Sequence, residues 1–229
     1  YSSSVAIRWG IVGCGDVTEV KSGPGFQKAD GSELVAVMRR DVAKARDYAR
    51  RHGVPKVHER AEDLIRDPEI DAVYVATLPA THCELALAVA AAGKPCYVEK
   101  PMARNHAECA RMVETFRAAQ VPLFVAYYRR ALPRFVKTKQ LLDAGAIGRV
   151  TGCRYRMSRL FRPDAGAQWR LDAAQSGGGL FLDVKEGVTP VVHFSFLSMI
   201  PKTSAGIPAD VREASPGDRL VLLGSPTGK

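Results

Sequence analysis

A disulfide pattern is the first thing this sequence lacks. Its five cysteines, Cys14, Cys83, Cys96, Cys109 and Cys153, form an odd, scattered set with no CxxC pair. That excludes a disulfide-stapled scaffold, argues against a zinc or other metal site, and points to reduced thiols in a reducing compartment, with a cytoplasmic location as the expectation. Long apolar runs are also missing. None approaches the roughly 20 residues of a membrane span, so no membrane partner is expected. Acidic residues are in deficit, 24 against 33 Lys and Arg, for a formal net charge of +9. An excess of that sign raises nucleic acid as a partner. The basic residues, however, are spread along amphipathic segments, and aromatics make up only 7% of the chain, with no basic–aromatic array. A solvated surface is the better reading, and no nucleic acid is expected. The stretch ahead of Arg8 shows no basic-then-apolar leader, and the chain opens at Tyr1 without Met, which leaves upstream residues open. What remains, 229 residues at 46% hydrophobic and 25% charged, is a globular chain with room for one large domain or two small ones.

The rest of the chain is organised around Arg8 to Val20, RWGIVGCGDVTEV. A short apolar run closing at Ile11 and Val12 meets Gly13-x-Gly15 and then Asp16 to Val20, which reads as the start of a helix. Strand, glycine turn and helix N-terminus in that order form the phosphate-binding corner of a Rossmann unit. Gly13 allows the tight turn, Gly15 lets the backbone come close to a pyrophosphate, and the first free N–H groups of the helix favour an anion. The third position of the pattern holds Thr18 in place of Gly or Ala, so helix and strand must pack around a β-branched residue.

Further on, Lys21 to Lys28 (KSGPGFQK) reads as a break in that helix, through Gly23, Pro24 and Gly25. Strands are expected at Glu33 to Met38, Lys56 to His58, Asp71 to Ala76, Cys96 to Val98 and Leu123 to Tyr127. Helices are expected between them: Val42 to His52 ended by Gly53, Ala61 to Arg66 stopping before Pro68, an alanine-rich helix ending at Gly93, and Asn105 to Ala119. Thr81 to Glu84 reads as the capping box of the alanine-rich helix, and Asn105 with Glu108 as that of the next. Alternation of this kind predicts a doubly wound α/β domain on a parallel sheet, the Rossmann class, over residues 5–127. From Tyr128 the pattern changes. Pro133 to Ala144 reads as a helix, Arg149 to Ser158 as a strand with one exposed face, and Gln168 to Gly179 as loop. Residues 128–229 are expected to form a partial α/β second domain, with an atypical tail from about 184.

Three motifs stand at matching intervals: GCGDVTEVKSGPGF, then ATLPATH from Ala76 to His82, then Glu99-Lys100-Pro101. Together with AYYRRALPRF and DAGAIGRV they make the chain resemble the glucose–fructose oxidoreductase / inositol dehydrogenase (Gfo/Idh/MocA) family over about Arg8 to Asp183. The resemblance implies a Rossmann domain followed by an α/β domain with an open, mostly antiparallel sheet. It also implies hydride transfer between NAD or NADP and a small-molecule sugar, polyol or related carbonyl compound, and it leaves room for a homo-oligomer formed through the second domain. Carried over by position, Gly13 and Gly15 take the pyrophosphate, with Cys14, Asp16 and Val17 in the same turn. Thr77, Leu78, Pro79 and His82 border the ribose and nicotinamide side, although a plain place in a helix's first turn is an equal reading of His82. Glu99, Lys100 and Arg129 complete the cofactor side. Lys100 and Asp183 are the catalytic candidates: an ammonium beside the reacting C–O bond can hydrogen-bond the oxygen and stabilise the charge that builds there. The family often has a cis peptide before the proline of Glu99-Lys100-Pro101, as X–Pro bonds permit.

Cofactor choice turns on the residue after the second strand. An acid there would accept hydrogen bonds from the ribose 2′-OH of NAD. Here Arg39-Arg40 stands in its place, and a guanidinium fork matches a 2′-phosphate, so NADP is favoured, with NAD second. The departure from the family comes late. Gly177 to Asp183 (GGGLFLD) matches, but the histidine expected four residues after Asp183 is Gly187. Two readings follow: an NADP-dependent oxidoreductase, or a truncated chain that binds dinucleotide without turnover.

Overall fold

The computed structural model of the chain describes residues 6–148, 169 and 172–177. Two compact units are present, one of Tyr1–Ala126 with Gln168–Asp183 and one of Tyr127–Ala167 with Val184–Lys229.

The first unit is a parallel sheet of six strands, β1 (Ile7–Val12), β2 (Ser32–Met38), β3 (Lys56–His58), β4 (Ala72–Val75), β5 (Cys96–Val98) and β6 (Leu123–Val125). Their spatial order is β3-β2-β1-β4-β5-β6, so the winding reverses between β1 and β4. Between the strands run α1 (Asp16–Val20), α2 (Ser22–Lys28), α3 (Val42–His52), α4 (Ala61–Arg66), α5 (Pro79–Ala91) and α6 (His106–Ala119). Parallel strands covered on both sides must be apolar on both faces. Val12, Val73, Val75 and Val98 accordingly pack on one side with Leu64, Val89, Met112 and Phe116, and Ile11, Leu34, Val37 and Tyr74 on the other with Tyr48. That second side holds an aromatic cluster, in which Phe26 of α2 lies 4.8 Å from Trp9 and 5.2 Å from Tyr74, and Tyr74 stacks on Tyr97 at 5.2 Å.

Residues 21–28 correct the expected helix break. The chain turns only at Lys21 and re-enters helix as α2. Pro24 sits in the first turn of α2, where no N–H is needed, so it does not stop the helix. Gly23 is a close-packing glycine and not a breaker, since a Cβ there would lie 2.2 Å from the Thr18 carbonyl oxygen and 2.3 Å from the Tyr48 hydroxyl.

The capping reading of Thr81 is also corrected. α5 starts two residues earlier, at Pro79, whose missing N–H suits a first helical position. The Thr81 hydroxyl turns back to Thr77 Oγ1 (2.8 Å) and to the Leu78 carbonyl (3.0 Å). At α6 the Asn105 side chain does cap, accepting from the Glu108 N–H at 3.0 Å. The Glu108 carboxylate reaches past the cap, however, to the Arg104 N–H (3.0 Å) and guanidinium. A guanidinium offers a charge-assisted pair that the cap's own N–H does not.

Within Gln168 to Gly179, expected to be loop, Ala173–Ser176 form a short helix, α8, capped by the Asp172 side chain. In the second unit a 3₁₀ turn, Tyr128–Ala131, precedes helix α7, Pro133–Asp143. The strand expected at Arg149 to Ser158 and the stretch from Val184 onward lie outside the described residues.

Candidate functional site

Strand register builds a rim. Val12 is level with Met38 and Val75, Val75 with Val98, and Val98 with Val125. The residues that follow, Gly13, Arg39, Ala76, Glu99 and Ala126, therefore leave the sheet side by side at its C-terminal edge, where open α/β sheets bind ligands. Gly13 and Thr77 flank the point where the winding reverses. A Cβ on Gly13 would lie 2.8 Å from Thr77 Cγ2, so the two loops are in contact.

At Gly13 the backbone turns with φ +95°, and the N–H groups of Gly13 and Cys14 both donate to the Met38 carbonyl, at 2.8 and 3.2 Å. This fastens the end of β1 to that of β2. Cys14 is wholly buried, and burial pushes its thiol up to about 11, so it offers the turn its backbone and not a nucleophile. A Cβ on Gly15 would meet, beyond its chain neighbours, only the Gly13 carbonyl oxygen at 3.9 Å, an ordinary contact distance. The turn therefore keeps a cradle that a side chain would fill. Asp16 is exposed and Val17 half-buried at the start of α1. Thr18, in the third position of the pattern, is fully buried. Its hydroxyl donates to the Gly15 carbonyl at 2.7 Å, and its own carbonyl accepts from the Tyr48 hydroxyl at 3.1 Å. The extra oxygen at this packing position is thus satisfied locally.

Arg39 is half-buried at the end of β2, and its Nη1 donates to the Cys14 carbonyl at 3.3 Å. The guanidinium lies over the turn itself. Arg40 is exposed. The nearest acid along the chain, Asp41, is committed elsewhere: it caps α3 by accepting from the Lys44 N–H at 3.1 Å and pairs with Lys44 Nζ at 3.4 Å. The Lys44 N–H, first among its partners, holds the Asp41 carboxyl below the usual carboxylate range.

Across the reversal, Thr77 and Leu78 are half-buried and Pro79 is buried. His82 is wholly buried, with Nδ1 2.9 Å from the Pro101 carbonyl and Nε2 3.0 Å from the Thr77 carbonyl. Neither ring nitrogen is left to face a ligand, so its effect on one would run through those two loops. Glu99 and Lys100 are half-buried at the end of β5. One Glu99 oxygen accepts from the Tyr74 hydroxyl at 2.6 Å and the other from the Lys100 N–H at 3.0 Å. The Lys100–Pro101 peptide is cis, as the resemblance implies. Beyond it, Arg104 Nη1 donates to the Ala174 carbonyl at 3.3 Å, joining α8 to this corner.

Sequence reasoning missed Tyr74. A signal was present: a tyrosine inside the otherwise apolar run DAVYVA needs a partner for its hydroxyl. Burial and the Glu99 charge raise its pKa, so it stays a donor. Of the remaining candidates, Arg129 falls in the 3₁₀ turn Tyr128–Ala131 of the second unit, and Asp183 lies outside the described residues. Among the described residues no group of three or more His, Cys, Asp or Glu is placed to hold a metal, and no helix is long and apolar enough to cross a membrane.

Residues 7–127 match the family model described as "Oxidoreductase family, NAD-binding Rossmann fold", and residues 135–185 match the "GFO/IDH/MocA C-terminal domain". An oxidoreductase of Formosa agariphila is 44% identical over 182 residues, which are 78% of this chain and 57% of that protein. The 1,5-anhydro-D-fructose reductase of Ensifer adhaerens is 32% identical over 177 residues, 77% of this chain and 53% of its own. Among solved structures, an aldose-aldose oxidoreductase from Caulobacter crescentus is similar with a TM-score of 0.68 at 28% identity, covering 78% of this chain and 54% of that one. A probable dehydrogenase from Thermotoga maritima has a TM-score of 0.61 at 29% identity, covering 77% and 51%. The chain spans between about half and three-fifths of the length of the relatives it matches.

Proposed function

Because the chain belongs to the Gfo/Idh/MocA oxidoreductase family, we propose that it binds NADP at the reversal between β1 and β4 and transfers a hydride between the cofactor and a small sugar, polyol or related carbonyl compound. The observation that carries the NADP reading is Arg39: its guanidinium lies on the glycine turn, bonded to the Cys14 carbonyl, while Asp41 is tied up as a helix cap. A guanidinium beside that turn pairs with a 2′-phosphate in a fork and lacks the acceptor that a ribose 2′-OH would seek. The lack of a side chain at Gly15 fits the close approach of a pyrophosphate.

The nicotinamide supplies or accepts the hydride. The chain's own residues bind and orient. Gly13 to Val17 receive the phosphates, Arg39 the 2′-phosphate with Arg40 beside it, and Thr77 to Pro79 the ribose side. Lys100 Nζ holds a proton against the substrate oxygen and stabilises the charge that develops there. Glu99, held by Tyr74, accepts the Lys100 N–H and so fixes the Lys100 backbone. Substrates are read by class from relatives such as the 1,5-anhydro-D-fructose reductase and the aldose-aldose oxidoreductase. Cys14, Cys83, Cys96 and Cys109 are free thiols, which favours a reducing cytoplasmic location.

The test is NADPH and NADP+ turnover against aldoses, inositols and small diketones, in the unmodified protein and in Lys100→Ala. Turnover should fall at least 100-fold in the variant, while NADPH affinity stays within about twofold. A variant that keeps most of the rate removes Lys100 from the chemistry. NADPH binding without turnover in the unmodified chain favours the second reading, a dinucleotide-binding module.

A further inference from the structure

Helices α5 and α6 pack on each other, and each brings a cysteine to their seam. Cys83 of α5 is buried, and its Sγ meets α6 at the Glu108 carbonyl, to which it donates at 3.8 Å. The next residue of α6 is Cys109, a half-buried free thiol packed against the same core cluster that holds Cys83. Arg111 completes the group, its Nη2 donating to Cys83 Sγ at 3.2 Å. Arg111 is an exposed residue, so the sulfur it touches lies at the margin of the core and not in its depth.

These surroundings set the pair apart from the other described thiols. Cys14 and Cys96 are wholly buried, and burial pushes them up to about 11 and about 12. A thiol attacks only as the thiolate, and a neighbouring guanidinium favours that form. Once formed, the Cys83 thiolate keeps the Arg111 N–H as a charge-assisted donor. Burial raises the Cys109 thiol, which suits a second, resolving thiol and not the attacking one.

We infer that Cys83 and Cys109 form a modification site for hydrogen peroxide, which closes them into a disulfide between α5 and α6. The Cys83 thiolate attacks the peroxide. An S–O bond forms, the O–O bond breaks, and the departing hydroxide takes up a proton as water. The Cys109 sulfur then attacks the Cys83 sulfenic acid. The S–S bond forms, the S–O bond breaks, and the hydroxide leaves with the Cys109 proton as a second water. Two thiols have lost two electrons, and one peroxide has become two waters. A thiol reductant reverses the closure by exchange. None of this rests on the cofactor reading.

The experiment treats the reduced full chain with hydrogen peroxide, alkylates the remaining thiols and maps the peptides by mass spectrometry. Trypsin leaves Cys83 and Cys96 on one peptide, since Lys94 and Lys100 both precede proline, so fragmentation assigns the linked residue. A Cys83–Cys109 link within one chain should form and be released by dithiothreitol, with Cys14 and Cys96 alkylated only after unfolding. In Cys109→Ser, dimedone should trap Cys83 as the sulfenic acid. In Arg111→Gln, closure should slow about fivefold or more. The inference is overturned if peroxide leaves both thiols free, links either to another cysteine, or oxidises Cys109 alone. An Arg111→Gln protein that closes at the parental rate overturns it equally. Should a variant fail to fold, the map of the unmodified chain decides by itself.

Discussion

Gly13 and Gly15 are two residues apart in one turn, yet alanine should damage them in opposite ways. At Gly13 the backbone has φ +95°, which L side chains rarely adopt, and the added Cβ would sit 2.8 Å from Thr77 Cγ2 and 3.0 Å from the Ala76 carbonyl group. Backbone strain of this kind costs about 1–3 kcal/mol, and overpacking costs a similar amount. About 3 kcal/mol in total lowers the melting temperature by roughly 9–15 °C in a unit of this size. At Gly15 φ is −138°, ordinary extended backbone, and the nearest atom to a new Cβ is 3.9 Å away. Gly15→Ala should therefore melt within about 0.5 kcal/mol of the parent, as surface changes do. The methyl group would instead occupy the space through which a pyrophosphate approaches, and NADPH affinity should fall tenfold or more. Differential scanning fluorimetry with and without NADPH reads both effects. A Gly15→Ala protein that binds NADPH normally would refute the placement of the phosphates, and a Gly13→Ala protein of parental stability would refute the strain argument.

Other expectations concern the surroundings of the turn. Tyr74→Phe removes a 2.6 Å donor from the Glu99 carboxylate and should cost about 1.5–3 kcal/mol in urea unfolding, the range for hydrogen bonds to charged groups; an unchanged midpoint would show that Glu99 finds another donor. Glu19 is held down to about 2, first by Arg51 and then by His52, from 4.5 in the open chain. The folded state thus binds fewer protons, so this stability is complete above pH 4.5 and disappears as pH falls from 4.5 towards 2. The acid limb of the pH–stability curve should flatten in Glu19→Gln, and a parental limb would count against the Glu19–Arg51 anchor.

The strand–helix alternation was legible because β1, β2 and β4 hold apolar runs, and α3 and α6 carry their caps at Asp41 and Asn105 in plain sight. Residues 21–28 misled because Gly and Pro act by position. Pro24 in a first turn and Gly23 under Tyr48 serve a helix instead of ending one. Thr81 to Glu84 matched a capping box, but Pro79 had already started the helix. In the candidate site, the places of Gly13, Gly15, Arg39 and Lys100 at or just after strand ends were legible because they follow from local order along the chain. The Tyr74–Glu99 bond and the His82–Pro101 contact could not, since they join residues 25 and 19 positions apart that only the sheet register brings together.

Equilibrium titration of NADPH and NADH against this chain and Arg39→Asp, at fixed moderate salt, bears most directly on the assignment of the rim. Losing one charge-assisted pair is worth about 1.5–3 kcal/mol, so the parent should bind NADPH at least tenfold more tightly than NADH, and Arg39→Asp should narrow or reverse that ratio. Equal affinities in the parent, or an Arg39→Asp protein that keeps the preference, would contradict the account.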